Sequence, residues 1–219
     1  MLQNTEKIGD FAWCEWATDT RLICQVAGMG KGTDGLLVPF DRLFAINADG
    51  TEAKMLSQRD SFRALGFNQN GGDIVAFDVS DCQGEVLMTR NYVPESDINT
   101  RLANSKSGLG VDLVDVTTGR TRTREAADDG ALRYVADERG QVRIKVRALY
   151  DGTGNLTGEY VYLYRTPGSN SWKKFEKLTV DGTPISGFTP VAVDSARNVA
   201  YGFITKGGYD AVVEVLMDD

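Results

Sequence analysis

Cys14 and Cys24 lie inside WCEWATDTRLIC, residues 13 to 24, beside Trp13 and Trp16, and they are two of the chain's three cysteines. Such a cluster is either a reactive site or a piece of architecture. Reactive uses of a thiol or hydroxyl need a partner base, most often histidine, and the chain contains none. A Ser-His-Asp triad, a Cys-His pair and the common histidine zinc sites therefore cannot be built from this chain alone. The cluster reads as structural.

Four other stretches invite chemistry and fail it on spacing. GMGKGTDG at residues 28 to 35 resembles a phosphate loop, but Lys31 is followed by Gly32 where Walker A needs Ser or Thr, so a flexible inter-strand loop is expected. SWKK at residues 171 to 174 matches the Ser-x-x-Lys pattern, which needs its lysine one helical turn away, and this segment reads as strand. DGTGNLTG at residues 151 to 158 has the look of a calcium loop, yet Tyr162 stands where a bidentate Glu belongs. Arg120, Arg122 and Arg124 alternate along one strand face, as solvated or carboxylate-paired side chains do. No catalytic residue, cofactor site or metal site is expected.

The composition is that of an ordinary soluble domain, 42% hydrophobic and 25% charged over 219 residues. A formal net charge of -7 opposes phosphate backbones and anionic membrane surfaces, which sets nucleic acid aside as a partner. No run of eighteen apolar residues is long enough to span a bilayer as a helix. The opening MLQNTEKIGD shows no basic region followed by an apolar one, hence no visible signal peptide. Since this start can be a cut inside a longer protein, the compartment stays open between cytoplasmic and periplasmic or secreted.

The elements that must carry these residues are strands. Apolar and polar residues alternate over five to eight positions between Gly, Asp and Asn clusters, the period of half-buried strands, and helix signals are nearly absent. Phe11 to Ala17, Arg21 to Ala27, Arg42 to Ala48 and Glu52 to Leu56 read as four strands, with a tight hairpin at NADG. The unit recurs. The inner hairpins ATDTRLICQV, VSDCQGEVLMT, VADERGQVRIKV and VDSARNVAYGF align at Leu22, Val86, Val142 and Val199, in steps of 64, 56 and 57 residues. Outer hairpins follow in RLFAINADGTEAKML, GVDLVDVTTGRTRTR and VYLYRTPGSNSWKKF, while DAVVEVLMDD stops where its turn should begin.

A repeated four-stranded antiparallel unit is the mark of a propeller blade. The expectation is an all-β chain forming one partial β-propeller over residues 1–219. Three complete blades and part of a fourth are placed at about 8–58, 73–125, 131–178 and 188–219. A β-sandwich, or two small sheets, is the competing architecture.

On the first two strands, a three-residue loop from Thr18 to Thr20 puts Cys14 directly opposite Cys24, within reach of a disulfide. A disulfide in an oxidising compartment and two buried free cysteines both fit this placement. Trp13 and Trp16 point to opposite sheet faces, and Cys82 is left unpaired on either reading.

The segments DFAWCEWATDTRLIC, LVPFDRLFAINADGTEAKML, GEVLMTRNYVP, GLGVDLVDVTTGRT, YVADERGQVRI, YLYRTPGSNSWKKF and FTPVAVDSARNVAYGF, taken in order, resemble the propeller of prolyl oligopeptidase family serine peptidases. The bacterial acylaminoacyl-peptidase-like and dipeptidyl-peptidase-like members are the most similar. The resemblance implies a propeller that precedes an α/β-hydrolase domain, covers its active site and restricts access to small peptides. The chain departs from the family in having no G-x-S-x-G elbow and no histidine, so no catalytic residue carries over.

The expected role is thus a non-catalytic segment that gates or selects peptide substrates for an absent hydrolase domain. The alternative is a stand-alone propeller-like binding scaffold without a peptidase link. Residues 217 to 219 stop before a fourth outer strand, and MLQNTEKI is a poor strand by composition, which favours a fragment.

Length is spent on the loops between second and third strands: Gly28 to Asp41, Arg90 to Gly108 and Ala148 to Glu159. These loops share one end of the blades with the connections between blades. That end is expected to meet the hydrolase domain or a peptide, with Arg90, Asn91, Tyr92 and Arg101 as the residues to watch. Open blade edges and exposed apolar blade faces are expected to drive self-association.

Overall fold

A computed structural model describes residues 9–31, 35–58, 61–96, 103–175, 179–180, 183–184 and 187–217. Among these residues there is no α-helix, and no helix is long and apolar enough to cross a membrane. The chain is all-β, built of small antiparallel sheets of the propeller-blade type. It divides into two compact units, Met1–Asp129 and Gly130–Asp219.

The first unit holds two blades. Blade 1 is β1 (Asp10–Trp16), β2 (Arg21–Lys31), β3 (Leu37–Asn47) and β4 (Lys54–Met55), in the order β1-β2-β3-β4. Blade 2 is β5 (Ile74–Ala76), β6 (Glu85–Tyr92), β7 (Gly108–Asp115) and β8 (Thr121–Asp128), in the same meander. Alternation decides which faces meet. Ile23, Leu43, Ala45 and Leu56 of blade 1 form one buried cluster with Val86, Met88, Val114 and Val116 of blade 2. Each of these side chains larger than alanine contributes about 1.5–3 kcal/mol by its burial.

In the second unit, blade 3 is β9 (Ala131–Ala136), β10 (Val142–Tyr150), β11 (Leu156–Tyr164) and β12 (Lys173–Lys174). A separate small hairpin, β13 (Thr179–Val180) and β14 (Thr183–Pro184), follows it. Blade 4 is three-stranded: β15 (Thr189–Asp194), β16 (Val199–Lys206) and β17 (Tyr209–Leu216). The core joins Val135, Ile144, Val146, Tyr164 and Phe175 to Phe188, Val193, Ala200, Ile204, Val215 and Met217. Three four-stranded blades and a three-stranded fourth are the architecture expected from the repeat.

The first blade departs from the expectation at one end. Alternation in the sequence places its second and third strands at Arg21 to Ala27 and Arg42 to Ala48, with a loop between. The ladder instead runs on through Gly28↔Phe40, Met29↔Pro39, Gly30↔Val38 and Lys31↔Leu37. Gly28 to Lys31 is therefore strand, and the phosphate-loop lookalike is half of a hairpin. Pro39 is tolerated because β4 covers only Phe44 and Ala45, so no strand needs the missing N–H at that end of β3. The other two loops also shrink: Arg90 to Tyr92 belongs to β6, and the last loop spans only 151–155 between β10 and β11.

Asp residues set the turns. The Asp115, Asp137, Asp151 and Asp194 carboxylates each accept backbone N–H groups two to four residues on, the local bonding that favours Asp in turns. At residues 71 and 72 the connection between blades 1 and 2 lies so close to its neighbours that only glycine fits. A Cβ on Gly72, which has φ of +100°, would stand 2.3 Å from the Thr89 carbonyl oxygen.

Candidate functional site

The loop end of the first unit is built on β3 and on the connection that follows β4. Asp41 and Arg42 hold that connection against the strand. The Asp41 N–H donates to Gln69 O at 3.0 Å, and its Oδ1 accepts the Gly71 N–H at 2.8 Å. The Arg42 guanidinium donates to the carbonyls of Asp41, Gln69 and Asn68. It also lies 5.6 Å from the Phe40 ring centroid and 5.8 Å from that of Phe67, a cation bracketed by two aromatic faces.

The same connection is zipped to the loop after β6. Leu65 N–H donates to Pro94 O at 2.9 Å, Ser96 N–H to Arg63 O at 2.9 Å, and Ala64 bridges Glu95. Between these anchors opens a cleft of about 520 Å³ lined by Arg42, Gln58, Ser61, Phe62, Ala64, Gly66 and Phe67. Large apolar side chains stand in solvent around it: Phe62 is 94% exposed, Leu65 67% and Phe67 62%. Exposed aromatic surface on backbone-anchored loops, with a cation in the lining, is suited to binding an apolar ligand with a negative terminus.

The residues singled out from the sequence lie beside this cleft, not in it. Arg90 is buried in β6, its Nε 2.9 Å from Asp112 Oδ2 of β7 in an ion pair whose N–H does not point along the contact. Its Nη2 donates to Leu56 O of blade 1 at 3.1 Å. The Tyr92 hydroxyl donates to the Asp112 carboxylate, and burial, followed by the Asp112 charge, raises its pKa. Asn91 exchanges side-chain and backbone hydrogen bonds with Asn68, so it props the connection that carries Phe67. Arg101 lies outside the described residues. All three belong to β6 and not to a loop: Arg90 and Tyr92 are buried against Asp112 and, for Arg90, the Leu56 carbonyl, while Asn91 is exposed and bonds Asn68.

Phe62, Leu65 and Phe67 were missed by the sequence reading. Their signal is SFRALGFNQN, in which three large apolar residues follow neither strand nor helix spacing inside a connector rich in Gly, Asn and Gln.

The second unit has a smaller groove at the corresponding end of its blades. It encloses about 350 Å³ between Leu132, Arg133, Val146, Tyr160, Tyr162, Gly187, Phe188, Thr189 and Pro190. Tyr162 packs 6.1 Å from Phe188, and burial raises the pKa of its hydroxyl.

Cys14 and Cys24 stand opposite each other across β1 and β2 and are joined in a disulfide with Cα atoms 4.0 Å apart. Trp13 packs against the core of the unit, while Trp16 is exposed on the other face. Cys82 is a free thiol whose sulfur accepts a long contact from Arg124 at 3.9 Å. Trp172 of SWKK is covered by Arg165 and Lys145, with cation-to-ring distances of 3.8 and 5.0 Å. Arg122 pairs with Glu85. Among the described residues, no group of three or more His, Cys, Asp or Glu side chains is placed to hold a metal ion.

Compared with known proteins, the chain matches no family model, no curated protein and no solved structure.

Proposed function

We propose that this chain is a non-catalytic propeller segment that selects or gates peptides for an α/β-hydrolase domain of a prolyl-oligopeptidase-like serine peptidase. The loop end of the first unit is the surface that meets the peptide. One observation carries the reading: Phe62 and Phe67 stand in solvent in a cleft that Arg42 also lines, on a connection pinned by backbone hydrogen bonds. Apolar peptide side chains would pack on the phenylalanine faces, and a free carboxylate would lie toward the guanidinium. The resemblance to peptidase propellers supplies the partner domain, and the cleft supplies the means of selection.

The test is turnover by a parent enzyme carrying the hydrolase domain, with Phe62→Ala and Phe67→Ala combined. The expected outcome is a fall in kcat/KM of about ten-fold or more on apolar peptides, with hydrolysis of a small activated ester unchanged. Equal turnover of both substrates by the variant would instead favour a scaffold without a peptidase role.

A further inference from the structure

The groove of the second unit is built on one cross-strand row. Arg133 of β9 stands opposite Val146 of β10, which stands opposite Tyr162 of β11. Directly opposed residues share a sheet face, as do residues two apart on one strand, so Tyr160 joins Tyr162 on that face. Between the pairs Val146↔Arg133 and Arg147↔Ala131 the register slips, and Leu132 is the extra residue on β9. Such a bulge re-aims side chains, and here both Leu132 and Arg133 line the groove. A second wall comes from Phe188, just before β15. Phe188 lies so close on β16 that a Cβ at Gly202 would collide with its ring. The wall is therefore fixed in place, with the Phe188 ring buried, 6.1 Å from that of Tyr162 and tilted 50° to it.

The groove is thus basic on one side and phenolic on the other, with buried Val146 between. Arg133 and Tyr160 are exposed and Tyr162 is half-buried, and all three offer hydrogen-bond donors. Burial, followed by the neighbouring Tyr160, raises the pKa of Tyr162, so its hydroxyl keeps its proton. No carboxylate stands among the lining residues. Among the described residues, these three side chains have no hydrogen bond or ion pair with the protein. Donors gathered without an acceptor call for an anionic, acceptor-rich ligand. The tilted Tyr162–Phe188 pair offers aromatic surface that a third ring can extend. About 350 Å³ is small for a ligand pocket and fits one ring with a short acidic arm.

We propose that this groove binds a small aromatic carboxylate, its ring packed on Phe188 and Leu132 and its carboxylate held between the donors of Arg133 and Tyr162. The site belongs to the second unit alone and is independent of the peptide cleft in the first.

Calorimetric titration of the whole chain with phenylacetate, its amide and acetate tests it. Phenylacetate should bind saturably, with the uncharged amide and the ringless acetate each weaker by about ten-fold or more. Arg133→Gln, at an exposed position, should weaken phenylacetate by about ten-fold and abolish its advantage over the amide. Tyr162→Phe, which keeps the ring, should weaken it by about three-fold or more. Phe62→Ala, in the other unit, should change nothing. No saturable binding up to about 10 mM would overturn the proposal. So would acid bound no better than amide or acetate, or a loss that follows Phe62→Ala and not Arg133→Gln.

Discussion

In each unit a buried arginine near the start of the blade's second strand reaches across to the other blade, Arg21 in the first unit beside the further Arg90–Leu56 link and Arg143 in the second, and these two differ in how their charge is met. In the first unit Arg21, at the start of β2, reaches blade 2 through Nε to Val116 O at 3.1 Å, and its other nitrogens meet Asn47 Oδ1 and Glu52 O. Its nearest carboxylate, Glu52, is 3.8 Å away and 73% exposed. In the second unit Arg143, near the start of β10, reaches blade 4 through Nη2 to Asn198 Oδ1 at 2.7 Å and donates to Arg165 O. Its carboxylate is Asp137 at 3.1 Å, and both side chains are 1% exposed. Arg21 thus makes its link mainly through neutral acceptors, and Arg143 through a buried ion pair. Neutral acceptors lose a few hydrogen bonds if the arginine goes, whereas a buried carboxylate is left without its counter-charge.

The largest expected effect follows from that difference. Arg143→Met should destabilise the second unit by about 3–5 kcal/mol, because Asp137 stays buried and its Oδ1 is committed to the turn N–H groups of Arg139 and Gln141. Arg21→Met should cost the first unit about 1–3 kcal/mol, the penalty of orphaned acceptors. Urea denaturation of both variants checks the order; equal losses would break the comparison.

A second asymmetry is covalent. The Cys14–Cys24 disulfide closes a loop only in the first unit, with a sequence separation of 10. Its reduction should lower the stability of that unit by about 2–3 kcal/mol through the freed unfolded chain and leave the second untouched. Hydrogen exchange with and without reductant reads the two units separately.

The smallest difference between the units should appear in acid. Turn carboxylates are held below their ordinary pKa in both: Asp49 by the Thr51 hydroxyl and Asp115 by the Thr118 N–H in the first, Glu138 by the Ser195 hydroxyl and Asp151 by the Thr153 hydroxyl in the second. A carboxylate with a lowered folded pKa contributes stability that is fully present above its unfolded value and is lost as pH falls through the folded one. Both units should therefore hold a steady melting temperature from pH 7 to about 5 and lose it together below the ordinary carboxylate values of 3.8 for Asp and 4.5 for Glu. Melting followed by circular dichroism across this range checks it.

The repeat of hairpins was legible because alternation and turn chemistry are local: NADG, VTTG and DERG announce their turns through short-range bonds. The long β2–β3 hairpin was hidden by its glycines and Pro39, whose acceptance depends on how little of β3 is covered by β4. Arg21, Arg90 and Arg143 were illegible for a deeper reason. A strand arginine is ordinarily read as facing solvent, and the acceptors that let these three be buried come from other strands and other blades, at separations of up to 95 residues. The cleft was missed likewise, since nothing local says that the connector carrying Phe62 and Phe67 is pinned to residues 93–96.

The most direct test of the proposed role is calorimetric titration of the chain with a short apolar peptide bearing a free carboxy terminus, set against the same peptide amidated. The cleft predicts measurable binding of the free acid, at least several-fold weaker binding of the amide, and loss of both with Phe62→Ala, a substitution at a 94% exposed residue that should leave folding unchanged. Equal binding of acid and amide, unaffected by Phe62→Ala, would contradict the assignment of this cleft as the peptide-contacting surface.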